Sequence, residues 1–291
     1  MNKLEVTQMH MLDNGGMSYV VTLRDNGFII IDGGTGFDKY EAQSKTLWDF
    51  LASRSKGKPV IHGWFFTHYH YDHVSLAAEF LVRKKNDIDL KGFYINPYGN
   101  VGNAGDADMN EKLNAAISEH PEASVHYLKT GETLLFPCCR VDIMLSESDL
   151  SPFGRINQNY VSAAFKFTFE SGRSFTVLGD CDTGKLARLI DKDDPVYRDD
   201  LFLKTDVLQV AHHGLPLGDD SQLRSGAEVM KRLSPEICLF PQHKERFETD
   251  ERFFEEKWYD NYYLIHSGAK CFHHSKRVSV NMDDLSVDVE E

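Results

Sequence analysis

The sequence predicts a sheet-rich α/β protein in which helices cover the sheets from outside. Three observations support this prediction: two β-hairpin patterns, alternating strand and helix periodicities, and a hydrophobic fraction of 41%, which is enough for a sizeable core. No linker rich in proline, glycine or serine interrupts the 291 residues, and no repeat occurs. We therefore expect one domain over residues 1–291 rather than two small ones.

Each hairpin is predicted from two strand patterns that flank a turn. Residues 19–23 and 28–31 are apolar or β-branched, and Asn26-Gly27 between them is typical of a turn with positive φ angles. In the second hairpin, phenylalanines alternate with other residues over 165–169, and an apolar strand follows over 175–178. Strict alternation predicts one strand face on a core and the other toward solvent.

The remaining elements are predicted from the spacing of apolar residues. Helical spacing predicts four helices, over residues 38–51, 75–82, 108–118 and 221–233. Ser75 and Ser221 stand where a side chain can cap the first turn of its helix. Short apolar runs predict further strands, over residues 60–66, 90–95, 206–210, 236–240 and 278–280, the last of them at a sheet edge.

Charge and apolar run length disfavour several classes of partner. The formal net charge of −13 opposes binding to the phosphate backbone of nucleic acids. No apolar run approaches the roughly 20 residues that a membrane helix needs, and residues 1–5 lack the features of a signal peptide. We expect a cytoplasmic protein with a small-molecule substrate, and we expect the acidic residues 283–291 to form a frayed tail.

The cysteine pattern predicts reduced thiols. The five cysteines are Cys138, Cys139, Cys181, Cys238 and Cys271. Their number is odd and no Cys-x-x-Cys pair occurs, so neither a disulfide framework nor a zinc finger is indicated. Cys181 follows Asp180 directly, and we expect it to pack behind the site described next rather than to bind a metal.

Three histidines and an aspartate fall within six residues, between the strand over 60–66 and the helix over 75–82. His68, His70 and Asp72 are two residues apart, so in an extended loop they project to the same side, and His73 follows. Imidazole nitrogens and carboxylates are suitable ligands for zinc, iron or manganese. We interpret the cluster as a catalytic metal site rather than as a polar surface loop.

The motif His68-x-His70-x-Asp72-His73 after a buried strand resembles that of the metallo-β-lactamase superfamily. The resemblance extends to Asp32-Gly33 after an early strand, to Gly179-Asp180 and to His212-His213-Gly214. It implies a four-layer αββα sandwich that holds two divalent metal ions, with zinc as first choice and manganese or iron as alternatives. In such proteins, the early aspartate supports the metal-binding loop without touching the metal.

The resemblance also implies the metal ligands: His68, His70, Asp72, His73, Asp180 and His213. His68 and His70 would bind the first ion, and Asp180 would bridge the two ions. The second ion would take the others, with His212 as the alternative to His213. Many family members supply a third histidine to the first ion, but residues 146–159 contain none. Water or Asn159 would then complete that site, or it would be weakly occupied.

Roles in catalysis follow from the same resemblance. Asp72 would orient the nucleophile as well as bind metal, and His212 would contact the substrate or protonate the leaving group. Asn159 and His243 are predicted to line the substrate pocket, and residues 98–109 are a candidate lid. We expect His120, His126 and the pair His273-His274 to lie on the surface, the pair at an exposed strand edge.

A narrower resemblance indicates the reaction. Asn157 and Asn159 before a strand, followed by Gly179-Asp180 and His-His-Gly, are similar to a subgroup that contains the soluble domain of the bacterial DNA-uptake channel and a phosphorylcholine esterase. This implies a hydrolase in which a metal-activated hydroxide attacks a small phosphoester or phosphodiester. Two alternatives stay open: a non-catalytic metal-binding module, and a hydrolase of carboxylic esters, lactones or amides. The flavodiiron class is disfavoured because it usually has glutamate at the position of His70.

Overall fold

The computed structural model describes residues 3–12, 15–36, 40–96, 104–146, 158–191, 200–215, 223–251 and 259–290. The strands in these ranges are β1 (Glu5–Gln8), β2 (Ser18–Thr22), β3 (Phe28–Asp32), β4 (Val60–Phe66), β5 (Asp89–Leu90), β6 (Gly92–Ile95), β7 (Ser124–Tyr127), β8 (Thr133–Phe136), β9 (Cys139–Leu145), β10 (Ala164–Phe169), β11 (Ser174–Val177), β12 (Val207–Gln209), β13 (Ile237–Phe240), β14 (Lys270–His273), β15 (Val278–Asn281) and β16 (Val287–Val289).

The helices in the same ranges are α1 (Tyr40–Arg54), α2 (Tyr71–Lys84), α3 (Ala104–Ser118), α4 (Gln158–Val161), α5 (Thr183–Leu186), α6 (Asp200–Leu203), α7 (Leu223–Leu233), α8 (Lys244–Thr249) and α9 (Tyr259–His266). Two 3-10 turns are added at Ala187–Ile190 and Ala211–Gly214. None of the described helices combines the length and the apolarity that crossing a bilayer requires.

Two sheets pack face to face at the centre of the structure. In the described residues the first sheet has the order β16-β15-β1-β2-β3-β4-β6-β7, with β5 beside β4, and the second has the order β14-β13-β12-β11-β10-β9-β8. A core between them joins Phe65 of β4 to Phe165 of β10, whose rings lie 5.2 Å apart. Helices α1, α2 and α3 cover the outer face of the first sheet, and α5, α7 and α9 that of the second. The predicted αββα sandwich is confirmed, whereas the single domain over 1–291 stays a prediction.

The central strands are buried on both faces, which explains their continuous apolar runs. In β3, Ile29 and Ile31 point into the core between the sheets, whereas Phe28 and Ile30 lie under the helices. The same holds for β10, so the expectation that one of its faces meets solvent is wrong. Lys166 on that face is only 6% exposed, and its Nζ donates a hydrogen bond to the Phe202 carbonyl at 2.7 Å.

The first hairpin turn differs in one detail from its prediction. Asn26 has the expected positive φ, of 64°, but Gly27 is not among the residues with a left-handed backbone. A Cβ at position 27 would lie 2.3 Å from Nε2 of His62. Glycine thus leaves room for the imidazole of His62, which would have to move to admit a Cβ at this position.

Helix α2 begins before its predicted start. It starts at Tyr71, so the motif residues Asp72 and His73 occupy its first turn, and His70 is the N-cap residue. Ser75 is consequently inside the helix, where its Oγ accepts a hydrogen bond from the Gly36 N–H at 2.8 Å. The second predicted cap, Ser221, lies outside the described residues.

The C-terminal segment closes the first sheet. Strand β15 is not at the edge, because β16 pairs with it in antiparallel register, Val278 opposite Val289. Residues 287–289 of the acidic tail are therefore a strand, and the expectation of a frayed tail is wrong there. Val280 in β15 is fully buried, which is the environment of an inner strand rather than an edge.

The carboxyl ends of the parallel strands position the candidate site. Strands β3, β4 and β6 are parallel in the first sheet, and β11 to β14 are parallel in the second. The segments at the ends of β3, β4, β11 and β12 carry Asp32, the histidine motif, Asp180 and His213, respectively. Crevices outside such strand ends are where α/β proteins commonly bind ligands.

Candidate metal centre

The histidine motif spans the loop from β4 to α2. His68 and His73 are fully buried, whereas His70 and Asp72 are half-buried. The rings of His68 and His73 lie 4.1 Å apart, and Nε2 of His68 is 2.9 Å from Nδ1 of His70. The loop thus brings His68 and His70 together, as their spacing predicted, and His73 joins them from the first turn of α2.

Asp32 holds two of these histidines in place. Its buried carboxylate accepts hydrogen bonds from the Thr67 N–H at 2.8 Å, the Thr67 hydroxyl at 2.7 Å and Nδ1 of His73 at 2.7 Å. The Thr67 hydroxyl also lies 3.1 Å from Nδ1 of His68. Because Nδ1 of His73 carries the proton donated to Asp32, its Nε2 is left for a metal. The supporting aspartate that the resemblance implied is therefore in position.

Asp180 lies between the histidines that come from the two sheets. It follows β11 and is 2% exposed. Its Oδ1 is 3.3 Å from Nε2 of His73, and its Oδ2 is 3.8 Å from Nε2 of His68 and 3.5 Å from Nε2 of His213. A carboxylate in this position can offer one oxygen to each of two ions.

His212 and His213 point in different directions, although both have left-handed backbones, with φ of 49° and 58°. His213 is buried: its Nδ1 donates to the Pro241 carbonyl at 2.8 Å, and its Nε2 lies 3.4 Å from Oδ2 of Asp72. His212 is partly exposed, and its Nε2 lies 4.0 Å from Oδ2 of Asp180 and 3.1 Å from Nδ2 of Asn159. The structure thus brings His213, our choice from the sequence, to Asp72.

Two overlapping groups of donor atoms result. Among the described residues, the ligand atoms of His68, His73 and Asp180 lie within 4.8 Å of one another, as do those of Asp72, His73 and His213. Nε2 of His73, Oδ1 of Asp180 and Nε2 of His213 are buried, and none makes a hydrogen bond within the described part of the chain. Buried polar atoms are rarely left unsatisfied, and this set of nitrogen and oxygen donors suits zinc, iron or manganese. The residues therefore fit a divalent metal.

The two carboxylates and the buried histidines shift each other's pKa values in the metal-free centre. Burial disfavours the charge on His73, but Asp180 and Asp32 outweigh it and raise the pKa of His73 well above its usual value. For His213, the same opposition of burial and Asp180 raises the pKa to about 10. Burial raises the pKa of Asp180, but the two imidazolium charges outweigh it and lower that pKa well below its usual value. Metal binding would displace these protons, since a ligating imidazole is neutral.

The other predicted site residues lie around the two groups. Nδ2 of Asn159 lies 3.1 Å from Nε2 of His212. Nε2 of His243 donates to the Met11 carbonyl at 2.8 Å, and His243 does not belong to either donor group. Cys181 is fully buried, and its Sγ donates to the Ser162 carbonyl at 3.1 Å, so it packs behind Asp180 as expected. Three predicted features lie wholly or partly outside the described residues: Asn157, most of the stretch 146–159 and the first part of the candidate lid, 98–103.

Two histidines predicted to be on the surface are buried. His120 is 2% exposed, and its Nε2 donates to the Leu81 carbonyl at 3.0 Å. His274 is 1% exposed, and its ring lies 5.0 Å from that of His243. The backbone N–H of His274 donates to the Gln242 carbonyl at 3.2 Å, a long-range contact without a local sequence signal.

Comparison with known proteins identifies the fold. A family model for the metallo-beta-lactamase superfamily matches residues 12–94, which contain the histidine motif but neither Asp180 nor His213. The metallo-beta-lactamase fold protein YhfI from Bacillus subtilis superposes with a TM-score of 0.53, at 10% identity, over 100% of both chains. The protein has the metallo-β-lactamase fold.

Other structures share the metallo-β-lactamase fold with this chain. Yeast PDE1 gives a TM-score of 0.54 at 13% identity, covering 94% of this chain and 97% of PDE1. CmlA, a diiron beta-hydroxylase from Streptomyces venezuelae, gives a TM-score of 0.53 at 14% identity. That superposition covers 97% of this chain but only 54% of the CmlA chain. At identities this low, the superpositions establish the shared fold and no shared activity. No curated protein sequence matches the chain.

Proposed function

We propose that the protein is a metal-dependent hydrolase that binds two divalent ions and cleaves a small phosphoester or phosphodiester. The observation that supports this most strongly is the position of Asp180, whose carboxylate lies 3.3 Å from His73, 3.8 Å from His68 and 3.5 Å from His213. Such a concentration of imidazoles and carboxylates is costly to bury without a cation.

The proposed ligand set divides between the two ions. His68 and His70 would hold the first ion, although His70 is in neither donor group, and Asp72, His73 and His213 would hold the second, with Asp180 shared. Ions at such a centre supply Lewis acidity and lower the pKa of water toward neutrality. Zinc, manganese and iron all suit these donors, with zinc as our first choice.

The chain's own residues orient the reaction. The Asp72 carboxylate, half-buried beside His213, is placed to accept a hydrogen bond from an attacking water. His212 is partly exposed, and burial lowers the pKa of its imidazole, which favours the neutral form. A neutral imidazole donates one hydrogen bond, which suits it to hold an anionic phosphoryl oxygen rather than to act as a standing acid. We propose that the Asn159 amide and His243 contribute to the same pocket.

Charge and resemblance support the choice of substrate. The net charge of −13 repels extended nucleic acid, which favours a small substrate. The preference for phosphorus over carbonyl substrates rests on the resemblance to the uptake-channel and phosphorylcholine esterase subgroup, which remains a prediction. A cytoplasmic location belongs to the same proposal.

Metal content and turnover test the proposal together. We expect about two equivalents of metal per chain in the wild type, a marked loss in Asp180→Ala, and hydrolysis of bis(p-nitrophenyl) phosphate that follows metal content. Asp142→Ala is the matched control, because Asp142 is a buried aspartate of β9 that pairs with Arg140 at 3.1 Å and is not in either donor group.

Other outcomes would select the alternatives. Hydrolysis of p-nitrophenyl acetate or a lactone, without cleavage of the phosphodiester, would replace the phosphorus substrate by a carboxylic ester. Metal binding without turnover of any of these substrates would favour a binding module. If the wild type binds no zinc, manganese or iron, the proposed centre itself is wrong.

A further inference from the structure

Ser162, which follows α4, connects the two loops that carry the proposed ligands. It is fully buried, and its Oγ accepts a hydrogen bond from the Asp180 N–H at 3.0 Å. The same Oγ lies 3.5 Å from Nδ1 of His68. The next residue, Ala163, donates its N–H to the Thr67 carbonyl at 2.8 Å, beside the histidine motif. The backbone at 162–163 therefore joins the motif loop of the first sheet to the Asp180 loop of the second.

The approach of Gly179 to Ser162 leaves little freedom in this connection. Gly179 has a φ of +55°, and a Cβ there would lie 2.3 Å from Oγ of Ser162 and 3.0 Å from Cβ of Thr67. Both the left-handed backbone and the lack of space require glycine. A displacement of Ser162 would consequently move the turn that carries Asp180.

A buried lysine fixes the carbonyl of Ser162. Lys185, in α5, is 2% exposed, and its Nζ donates to the Ser162 carbonyl at 2.7 Å, close to the Cys181 thiol, which donates to the same oxygen at 3.1 Å. The backbone N–H of Lys185 donates to Oδ1 of Asp182 at 2.8 Å. Lysine is almost never fully buried unless its ammonium is paired, and burying that charge is unfavourable. The contact of its ammonium with the Ser162 carbonyl therefore ties α5 to the residue that holds the Asp180 N–H.

We propose that Lys185 is a positioning residue of the metal centre, which acts through Ser162 on the backbone of Asp180 and so sets the place of the shared carboxylate. This inference rests on the proposed metal centre but does not depend on which substrate is cleaved. Residues that orient metal ligands typically contribute about 10- to 100-fold to metal affinity. We therefore expect Lys185→Met to weaken zinc binding by about 10-fold or more.

The control is Lys166→Met. Lys166 is also a buried lysine, 6% exposed, and its Nζ likewise donates to backbone carbonyls, but these belong to Phe202 and Lys204. Lys166 lies on β10, where it pairs with Thr176 of β11. Thr176 itself precedes the turn that carries Asp180. Zinc affinity, measured by competition with a chromophoric chelator, and the absorption bands of bound Co²⁺ should change in Lys185→Met and stay unchanged in Lys166→Met.

Ser162→Ala keeps the test decisive if Lys185→Met does not fold. This variant retains the carbonyl that Lys185 contacts but removes the Oγ that holds the Asp180 N–H, so its zinc affinity should fall as well. Where the double variant folds, adding Lys185→Met to Ser162→Ala should produce little further loss, since both act on one connection. Wild-type zinc affinity in a folded Lys185→Met or in Ser162→Ala overturns this inference, whereas absence of metal from the wild type overturns the proposed centre instead.

Discussion

Replacing Asp32 by asparagine tests how far the centre depends on a residue that would not touch a metal. The carboxylate accepts hydrogen bonds from the Thr67 N–H, the Thr67 hydroxyl and Nδ1 of His73. Two of these donors meet Oδ2, so the amide of Asp32→Asn is expected to keep its oxygen there and turn its NH₂ toward the Thr67 N–H. The isosteric change thus leaves one buried donor unsatisfied and removes the charge that faces His73.

The expected loss follows from these contacts. An unsatisfied buried donor costs about 1–3 kcal/mol, and a hydrogen bond loses about 1 kcal/mol when its acceptor is no longer charged. We expect the free energy of unfolding of the metal-free protein to fall by about 3 kcal/mol, or roughly 6 °C in Tm at about 2 °C per kcal/mol. Zinc affinity should fall by about 10-fold, because His73 keeps a partner but a weaker one.

Urea unfolding in EDTA measures the free energy of unfolding of the metal-free protein, and competition with a chelator measures its zinc affinity. Asp142→Asn is the control: Asp142 is 7% exposed and accepts a hydrogen bond from the Thr133 hydroxyl at 2.7 Å, so it should lose stability but keep zinc affinity. If Asp32→Asn unfolds at the wild-type urea concentration and binds zinc as tightly as wild type, the support assigned to Asp32 is refuted.

Three further predictions concern individual side chains. Because the pKa of His213 is raised to about 10 in the fold, against about 6.5 when unfolded, its charge stabilises the metal-free protein fully below about pH 6.5. That stability should be lost as the pH rises toward 10, while zinc affinity increases; urea midpoints that do not change with pH would contradict this. Burial raises the pKa values of Cys139 and Cys181 to about 12, so iodoacetamide at pH 8 should label them only after unfolding, as mass spectrometry can check. His212→Ala should lower kcat by about 100-fold or more, as expected for the loss of a hydrogen bond to an anionic oxygen, and keep both metals; a loss of metal would show that His212 is a ligand.

The sequence predicted the elements whose signals are local. The hairpin of β2 and β3, the strand β4 and the motif after it were found because apolar runs and histidine spacing are local patterns. The start of α2 was misplaced because Ser75 is a plausible cap by itself, whereas the fold uses its hydroxyl to accept the Gly36 N–H. Strand β16 was missed because its acidic sequence makes it look like a tail, and only pairing with β15 makes it a strand.

The site illustrates the same division between local and long-range information. The histidine motif can be read from its spacing, but nothing local distinguishes His212 from His213, since both are in the left-handed conformation within one turn. The difference arises from the Pro241 carbonyl at the end of the neighbouring parallel strand, which takes the proton on Nδ1 of His213 and leaves Nε2 facing Asp72. The placing of Asp180 by Ser162 is likewise a contact between distant segments. A motif can therefore indicate candidate metal ligands, while the partners that orient these side chains depend on how the two sheets meet.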